Sequence, residues 1–143
     1  MKFKSRKDAL FTIIIYGTVM LLFSLSVLEL SINGPVKENI WIFGIVLVIN
    51  IVLLWIYHGT YYKIENGQLK YRSGPVRGKI TVNRIRKIEK GKTMWVGIKP
   101  ATAMHGLIVH YNKYDDIYIS PKTNDKFIDQ LMEVNSEIEV VEY

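Results

Sequence analysis

The sequence contains no cysteine at any of its 143 positions, which excludes disulfide bonds and every reaction that needs a thiolate. It also lacks charge over two long stretches, residues 9–28 and 40–57, which hold twenty and eighteen residues. About 20 residues of helix span the hydrocarbon core of a bilayer, so both stretches are long enough to cross one. The composition is therefore not that of a single soluble domain.

Motifs of nucleotide-binding and hydrolytic enzymes are missing as well. The sequence has no GxGxxG, no GxxxxGK[ST] and no serine in a nucleophile elbow. His105 and His110 fall on opposite faces of a predicted strand, and His58 lies at the end of the second apolar stretch. We expect no catalytic site, no metal and no cofactor. The pattern favours a binding protein over an enzyme.

The two apolar stretches predict an N-terminal transmembrane hairpin over residues 1–57, with helices at about 9–30 and 39–57. A signal peptide is the alternative for the first stretch, because basic residues precede it. However, no small-residue cleavage motif follows. The sequence Asn33-Gly34-Pro35 lies between the stretches and predicts a turn.

Charge next to the helices predicts their orientation. Four basic residues precede the first helix and many follow the second, whereas the connection holds one lysine and two glutamates. By the positive-inside rule, both termini face the cytoplasm and the connection lies outside. We therefore predict a multi-pass protein of the cell membrane, with the lipid bilayer as its first partner.

One polar residue, Asn50, interrupts the second stretch. In an antiparallel hairpin it lies level with Thr18 near the middle of the bilayer. A buried amide in hydrocarbon usually finds a partner, in a bond worth roughly 0.6–2 kcal/mol. A contact between Asn50 and Thr18 is one interpretation, and a homo-oligomer held by Asn50 of two copies is the other. An ion path is not expected, because neither stretch contains an acid, lysine or arginine.

Residues 58–143 form a second, β-rich unit. The segments TYYKIE and QLKYRS flank Asn66-Gly67, which is the turn of a tight hairpin. Apolar and basic residues alternate along these segments and along GKITVNRI. GLIVHYN and DDIYIS predict another strand pair.

The stretch KYDDIYISPK, residues 113–122, concentrates carboxylates and tyrosines. With a period of two, Ile117 and Ile119 share one face, and Asp116 and Tyr118 share the other. Asp115 and Asp116 therefore point in opposite directions and cannot converge on a metal. Ser120-Pro121 predicts the start of a C-terminal helix. We interpret this stretch as structural.

Charge is unevenly distributed over the second unit. Residues 70–99 hold ten Lys and Arg and one acid, whereas residues 100–143 hold three Lys and eight acids. Near anionic headgroups each basic residue gains about 1 kcal/mol. The candidate contacts with the anionic inner leaflet, or with a protein partner, are Arg84, Arg86, Lys87, Lys90 and Lys92. A solvated strand edge is the alternative, and no nucleic acid is expected.

At the level of family, YYKIENGQLKYRSGPVRGKITVNRIRKIEK and KPATAMHGLIVHYNKYDDIYISPKTNDKFIDQL resemble the bacterial pleckstrin-homology-like domain of the YyaB-like family. The most specific elements are Gly74-Pro75, the pair Ile85 and Ile88, and the passage from IYISPK to FIDQL. The resemblance covers roughly residues 58–135. It implies a membrane-anchored α+β protein in which a bent antiparallel β-barrel, capped by a C-terminal helix, follows the transmembrane hairpin.

The same resemblance implies a role. Membrane-anchored members look like immunity proteins that protect producers of sublancin-type bacteriocins. We therefore expect a non-enzymatic binding protein with a role in bacteriocin immunity, whose partner is a bacteriocin or its membrane target. The alternative is a scaffold or sensor that binds a protein or anionic lipid headgroups without any toxin.

The predicted orientation can be tested with topology reporters. Fusions after Lys7 and after Tyr143 should both report the cytoplasm, because basic residues flank the helices on that side. A fusion inserted between Gly34 and Lys37 should report the outside. An extracellular C-terminus would contradict the predicted orientation and every contact with the inner leaflet.

Overall fold

A computed structural model of the chain describes residues 1–35 and 37–143, with side chains for all of these except 37–39. Val36, in the predicted connection, lies outside the described residues. In the described part of the chain the elements are, in order, β1 (Lys2–Lys4), α1 (Ala9–Asn33), α2 (Lys37–Gly59), β2 (Tyr61–Glu65), β3 (Gln68–Ser73), β4 (Val76–Thr81), β5 (Ile85–Lys90), β6 (Leu107–Tyr111), β7 (Asp115–Ile119), α3 (Asn124–Val134) and β8 (Glu139–Glu142).

The helices α1 and α2 form the predicted apolar pair, and each is long and apolar enough to cross a membrane. Only 6% and 11% of their most apolar segments are buried within the protein. A helix that is apolar on all sides is normally buried in a protein core or in a bilayer. Because the protein covers so little of them, this pair supports a membrane anchor.

The first sheet has the strand order β1-β2-β3-β4, with all neighbours antiparallel. Asn66 and Gly67 join β2 to β3 with φ of 52° and 68°, which is the left-handed geometry of a two-residue hairpin turn. The edge strand β1 comes from residues that the sequence analysis assigned to the membrane hairpin. The sheet therefore contains residues from both sides of the apolar helices.

The second sheet has the order β7-β6-β5-β8. Its last strand, β8, pairs parallel with β5, so the expected all-antiparallel arrangement is wrong. The expected β-barrel is also wrong, because the described residues form two separate four-stranded sheets. A 3-10 turn at Val82–Arg84 separates β4 from β5 and ends the first sheet there.

One hydrophobic core joins the two sheets and α3. Its fully buried side chains come from both sheets and from the helix, among them Tyr62, Leu69, Ile88, Val109, Ile117, Phe127 and Leu131. Phe3 of β1 packs on this core, with its ring centroid 5.0 Å from that of Phe127. The predicted C-terminal helix is present. It begins at Asn124, after the N-cap Thr123, and not at Ser120-Pro121.

Ser120 and Pro121 instead meet the N-terminal segment, which the helix prediction could not foresee. Ser5 forms an isolated antiparallel bridge with Pro121, and the Arg6 amide donates to the Ser120 carbonyl at 2.7 Å. Backbone groups used in this way are unavailable to a helix. The start of α3 is therefore shifted because the N-terminal segment pairs with this part of the chain.

A buried cluster of hydroxyl groups lies where these segments meet. Ser5 Oγ is 2.9 Å from Ser120 Oγ, 3.2 Å from the Tyr62 hydroxyl and 2.8 Å from Thr102 Oγ1. The Tyr62 hydroxyl donates to the Pro100 carbonyl and accepts from the Ser120 amide at 3.0 Å. Burial raises the pKa of Tyr62, and hydrogen bonds with Ser120 and Ser5 offset part of this effect. The cluster links residues on both sides of the apolar helices.

The stretch around Asp115 builds structure, as expected, with one exception. Ile117 and Ile119 are fully buried in β7, while Asp115 and Asp116 are exposed. Tyr118, predicted to face outwards with Asp116, is only 2% exposed. Its hydroxyl donates to the Ala103 carbonyl at 2.8 Å, because the segment before β6 folds over this face of the sheet.

A matched pair of substitutions tests the structural interpretation of this stretch. Ile117→Asp should unfold the domain, because it places an unpaired carboxylate in a fully buried position, at a cost above about 4 kcal/mol. Asp116→Asn should leave the fold and the function intact. Circular dichroism of the two detergent-solubilised variants shows whether each of them is folded. Loss of function in a fully folded Asp116→Asn protein would restore Asp116 as a site residue.

A second pair tests the hydroxyl cluster. Tyr62→Phe leaves the Pro100 carbonyl and the Ser120 amide without their partner, which should cost about 1–3 kcal/mol of stability. Tyr61→Phe, one position away on the outer face, should change stability by less than about 0.5 kcal/mol. Thermal denaturation followed by near-ultraviolet circular dichroism compares the two. Equal midpoints would mean that the cluster does not stabilise the fold.

Candidate anion-binding face

The outer face of the first sheet carries two rows of side chains in which basic residues lie directly opposite one another. One row runs Lys2, Lys63, Lys70, Lys79 across β1, β2, β3 and β4, and the other runs Lys4, Tyr61, Arg72, Arg77. Like charges at directly opposed positions destabilise a sheet. We call the seven cations of these rows the basic face: Lys2, Lys4, Lys63, Lys70, Arg72, Arg77 and Lys79.

The local sequence explains why these cations share one face. Tyr62 and Ile64 point into the core, so Tyr61 and Lys63 on the same strand point outwards. The two-residue turn after Glu65 then fixes Lys63 opposite Lys70. Leu69 and Ile80 repeat the inward pattern on β3 and β4. Alternation and turn geometry together determine the rows.

One carboxylate, Glu65, accompanies the basic face. It lies 2.9 Å from Lys63 Nζ and 3.3 Å from Lys70 Nζ, and hydrogen bonds from these two lysines lower its pKa. No other carboxylate of the described residues comes within 4.0 Å of the seven cations. The face therefore keeps a strong positive excess and is suited to an anionic partner.

The basic face lies at the ends of the apolar helices. Tyr61 follows the last residue of α2 by two positions, and Lys4 precedes the first residue of α1 by five. The Arg72 guanidinium carbon is 6.0 Å from the centre of the Trp55 ring in α2. The row of Lys63 lies two residues further along the strands, about 7 Å from the row of Lys4. An open groove of about 390 Å³ runs between them.

Gly74 shows how closely the sheet approaches α2. It forms the turn between β3 and β4 with a φ of 56°, and a side chain there would come 2.6 Å from Ile56 Cγ1. The Thr60 hydroxyl donates to the Ile56 carbonyl and lies 2.9 Å from Ser73 Oγ. The basic face is thus fixed relative to the end of α2.

The candidate contacts predicted from sequence lie on β5 of the second sheet or just beside it, and most of them have partners. Lys90 Nζ is 2.7 Å from both Asp125 and Glu142, and these two carboxylates raise its pKa. Lys87 and Lys92 are each 3.1 Å from Glu89. Burial acts to raise the pKa of Glu89, but the two lysines outweigh it and lower the pKa. Three of the five candidates therefore carry compensated charges.

The other two candidates differ. The Arg86 guanidinium donates to the Lys113 carbonyl at 2.8 Å, and Arg84 is an exposed residue of the 3-10 turn. The compensation of Lys90 has a topological cause, because β8 pairs with β5 and places Glu142 opposite Lys90. No local pattern indicates this partner, whereas Glu89, the partner of Lys87 and Lys92, lies in the same segment of the sequence.

The predicted polar contact between the helices is not formed in this structure. The Thr18 hydroxyl donates to the Ile14 carbonyl of its own helix at 2.7 Å and is exposed. Asn50 is 8% exposed, and its Oδ1 has no hydrogen-bond partner among the described residues. Thr12 and Tyr57 form the contact across the hairpin instead, with 2.7 Å between their hydroxyl oxygens. An oligomeric contact through Asn50 stays a prediction.

The histidines and aspartates show no converging site in the described part of the chain, where no group of three potential metal ligands is found. His58 Nε2 is 3.0 Å from the Tyr16 hydroxyl, and His110 Nδ1 is 2.5 Å from Asp116. His110 Nε2 also lies 3.4 Å from Glu89. Asp115 is separate from this contact and accepts from the side-chain amide of Asn112 at 2.7 Å. The absence of a cofactor or metal stays an expectation.

Part of the basic face lies in the basic segment 70–99, although no local pattern in that segment singled it out. Its members there are Lys70, Arg72, Arg77 and Lys79. The signal that could have singled them out is the Asn-Gly turn, which fixes Lys63 opposite Lys70. The contribution of Lys2 and Lys4 could not be found, because their pairing crosses the whole apolar hairpin.

The fold and the site define a class: a small domain of two β-sheets with a basic face, attached to two apolar helices. The family model described as Bacterial PH domain matches residues 60–135, and the chain belongs to that family. The predicted resemblance to YyaB-like PH domains is confirmed.

One relative is similar over almost its whole length. Uncharacterized protein YyaB of Bacillus subtilis (strain 168) is 24% identical over 140 residues, which cover 96% of this chain and 95% of the relative. No solved structure matches this chain. The aligned region therefore spans the apolar helices of this chain as well as its PH domain.

Proposed function

We propose that this protein is a membrane-anchored binding protein whose PH domain holds its basic face against anionic headgroups of the inner leaflet. The observation that carries the proposal is the pair of cation rows next to the ends of the apolar helices. Binding, and not catalysis, is what seven cations with one carboxylate can provide.

The pairing of β1 supports the placement of both ends of the apolar hairpin on the same side of the membrane. β1 pairs with β2, so residues 2–4 and 61–63 lie next to each other. A hairpin that crosses a bilayer twice returns the chain to the side from which it started. Both ends of this hairpin therefore belong on one side, and the positive-inside rule favours the cytoplasm of a bacterial cell.

The distances support an electrostatic contact. The row of Lys4 lies within a few residues of the helix ends, and the row of Lys63 is about 7 Å further along the strands. The Debye length in physiological salt is about 8 Å, so both rows lie within the range of the surface potential. At about 1 kcal/mol for each basic residue near the surface, the face can orient the domain on the membrane.

The basic face can be tested in a soluble form that keeps β1. Joining residues 1–8 to 58–143 through a short Gly-Asn linker replaces the helices by a turn between two strands that are already paired. The triple change Lys63→Gln, Lys70→Gln and Lys79→Gln should weaken binding to vesicles containing phosphatidylglycerol by roughly a hundredfold. Cosedimentation with vesicles at low salt measures it, and high salt should abolish binding of the unchanged domain.

Two further variants act as controls. The triple change Arg84→Gln, Arg86→Gln and Lys87→Gln removes the same charge from the segment that the sequence favoured, and should weaken binding less than about fivefold. Glu65→Gln removes the accompanying carboxylate and should strengthen binding. A larger loss from the Arg84 triple would transfer the contact to that segment. Equal binding to neutral and anionic vesicles would overturn the proposal.

A role in bacteriocin immunity stays a prediction from the family resemblance. A domain held at the inner leaflet could shield a membrane target from a toxin, whereas a scaffold or sensor would need no toxin. Deleting the gene separates the two roles. Unchanged sensitivity to bacteriocins in the deletion strain would remove the immunity role and leave the membrane-binding function in place.

A further inference from the structure

The loop between β5 and β6, residues 91–106, ends in an exposed apolar tip. Trp95 is 75% exposed, Val96 is 84% exposed and Ile98 is 50% exposed. Loops longer than about 12–15 residues are uncommon in compact domains and are usually functional. We call residues 94–98 the apolar tip. Exposure of large apolar side chains to water is unfavourable, and a patch of them indicates a contact with lipid or with another protein.

The base of the loop is firmly attached to the residues that precede α1. The Met104 amide donates to Asp8 Oδ2 at 2.6 Å, and Thr102 Oγ1 donates to the Arg6 carbonyl at 2.6 Å. On the other side, the Tyr118 amide donates to the Ile98 carbonyl at 3.0 Å. The tip therefore has a defined position relative to the start of the first apolar helix.

A mostly apolar groove of about 240 Å³ separates the apolar tip from α1. Leu10, Phe11 and Ile14 form its helix wall, and Met94 and Trp95 belong to its loop wall. Ile14 lies five residues beyond the first residue of α1, which is about 7.5 Å along the helix axis. The tip thus runs beside the first turns of a helix that is apolar on all sides.

We propose that the apolar tip inserts into the interfacial layer of the leaflet that α1 enters, and that a phospholipid acyl chain occupies the groove. The helix wall of the groove belongs to the apolar surface of α1, and it extends to about 7.5 Å from the start of that helix, within the 5–10 Å depth that interfacial segments reach. Tryptophan favours this layer. This inference rests on the membrane anchor of the proposed function and is independent of the basic face.

The charges of the loop agree with a lipid partner. Residues 91–106 contain Lys92 and Lys99 and no carboxylate. The Lys99 ammonium donates to the Trp95 carbonyl, which places a cation next to the tip. A lysine beside an inserted tryptophan can meet lipid phosphates while the ring lies deeper. Two copies that met through this loop would bring like charges together.

Tryptophan fluorescence of the full chain tests the insertion. The chain has three tryptophans, so Trp41→Phe with Trp55→Phe leaves Trp95 as the single reporter. The protein is reconstituted into bilayers whose lipids carry bromine near the carbonyl end or near the methyl end of the acyl chain. We expect bromine near the carbonyl end to quench Trp95 about twice as strongly as bromine near the methyl end. High salt should not change the result.

Each other outcome contradicts the proposal. Quenching by acrylamide in water, without quenching by bromolipids, would show that the tip faces solvent. Protection from both quenchers would show that protein covers the tip, as in a contact between copies. Stronger quenching by bromine near the methyl end would place Trp95 in the bilayer centre and not in the interfacial layer.

Matched variants separate this inference from the anchor and from the basic face. Val96→Asp should reduce quenching of Trp95 by bromolipids, whereas Tyr114→Asp, at a position 83% exposed in the β6–β7 turn, should not. A protein with Trp41 as its single tryptophan reports whether the hairpin enters the bilayer. If Trp41 is quenched and Trp95 is not, the anchor stands and the insertion of the tip is wrong.

Discussion

The antiparallel pairing of β1 with β2 joins the residues before the apolar hairpin to those after it, and the remaining structure depends on this contact. Lys4 lies opposite Tyr61, and the Ser5 amide donates to the Thr60 carbonyl at 3.2 Å. The hydroxyl cluster around Ser120 then attaches the same segment to the second sheet. The domain is therefore held at both ends of the hairpin, and its orientation relative to the helices is defined by hydrogen bonds.

Both surfaces with proposed functions follow from that constraint. The basic face begins on β1 and β2, next to the helix ends, and the apolar tip is attached through Arg6 and Asp8 just before α1. Rows of like charge weaken the pairing of strands. The inner face of the same sheet, with Tyr62 and Leu69 fully buried, supplies the packing that offsets this cost. Such local conflicts are typical of functional surfaces.

The two sheets treat charge differently. On the second sheet, lysines of β5 meet carboxylates of β8, α3 and their own strand, as Lys90 does with Glu142 and Asp125. On the first sheet, Glu65 pairs with two lysines, and the other five cations of the basic face have no carboxylate within 4.0 Å among the described residues. In the folded protein, the charges of the second sheet are therefore mostly paired, whereas the first sheet keeps an excess of positive charge.

The sequence by itself determined the elements whose causes are local. The uncharged stretches specified α1 and α2, the Asn66-Gly67 turn specified the β2–β3 hairpin, and the motifs of the PH domain specified the family. Tertiary structure alone decided that Lys2 continues the row of Lys63 and that Glu142 neutralises Lys90. Those pairings join segments about 50 residues or more apart, and their formation depends on closing long loops around a shared core, which no local pattern encodes.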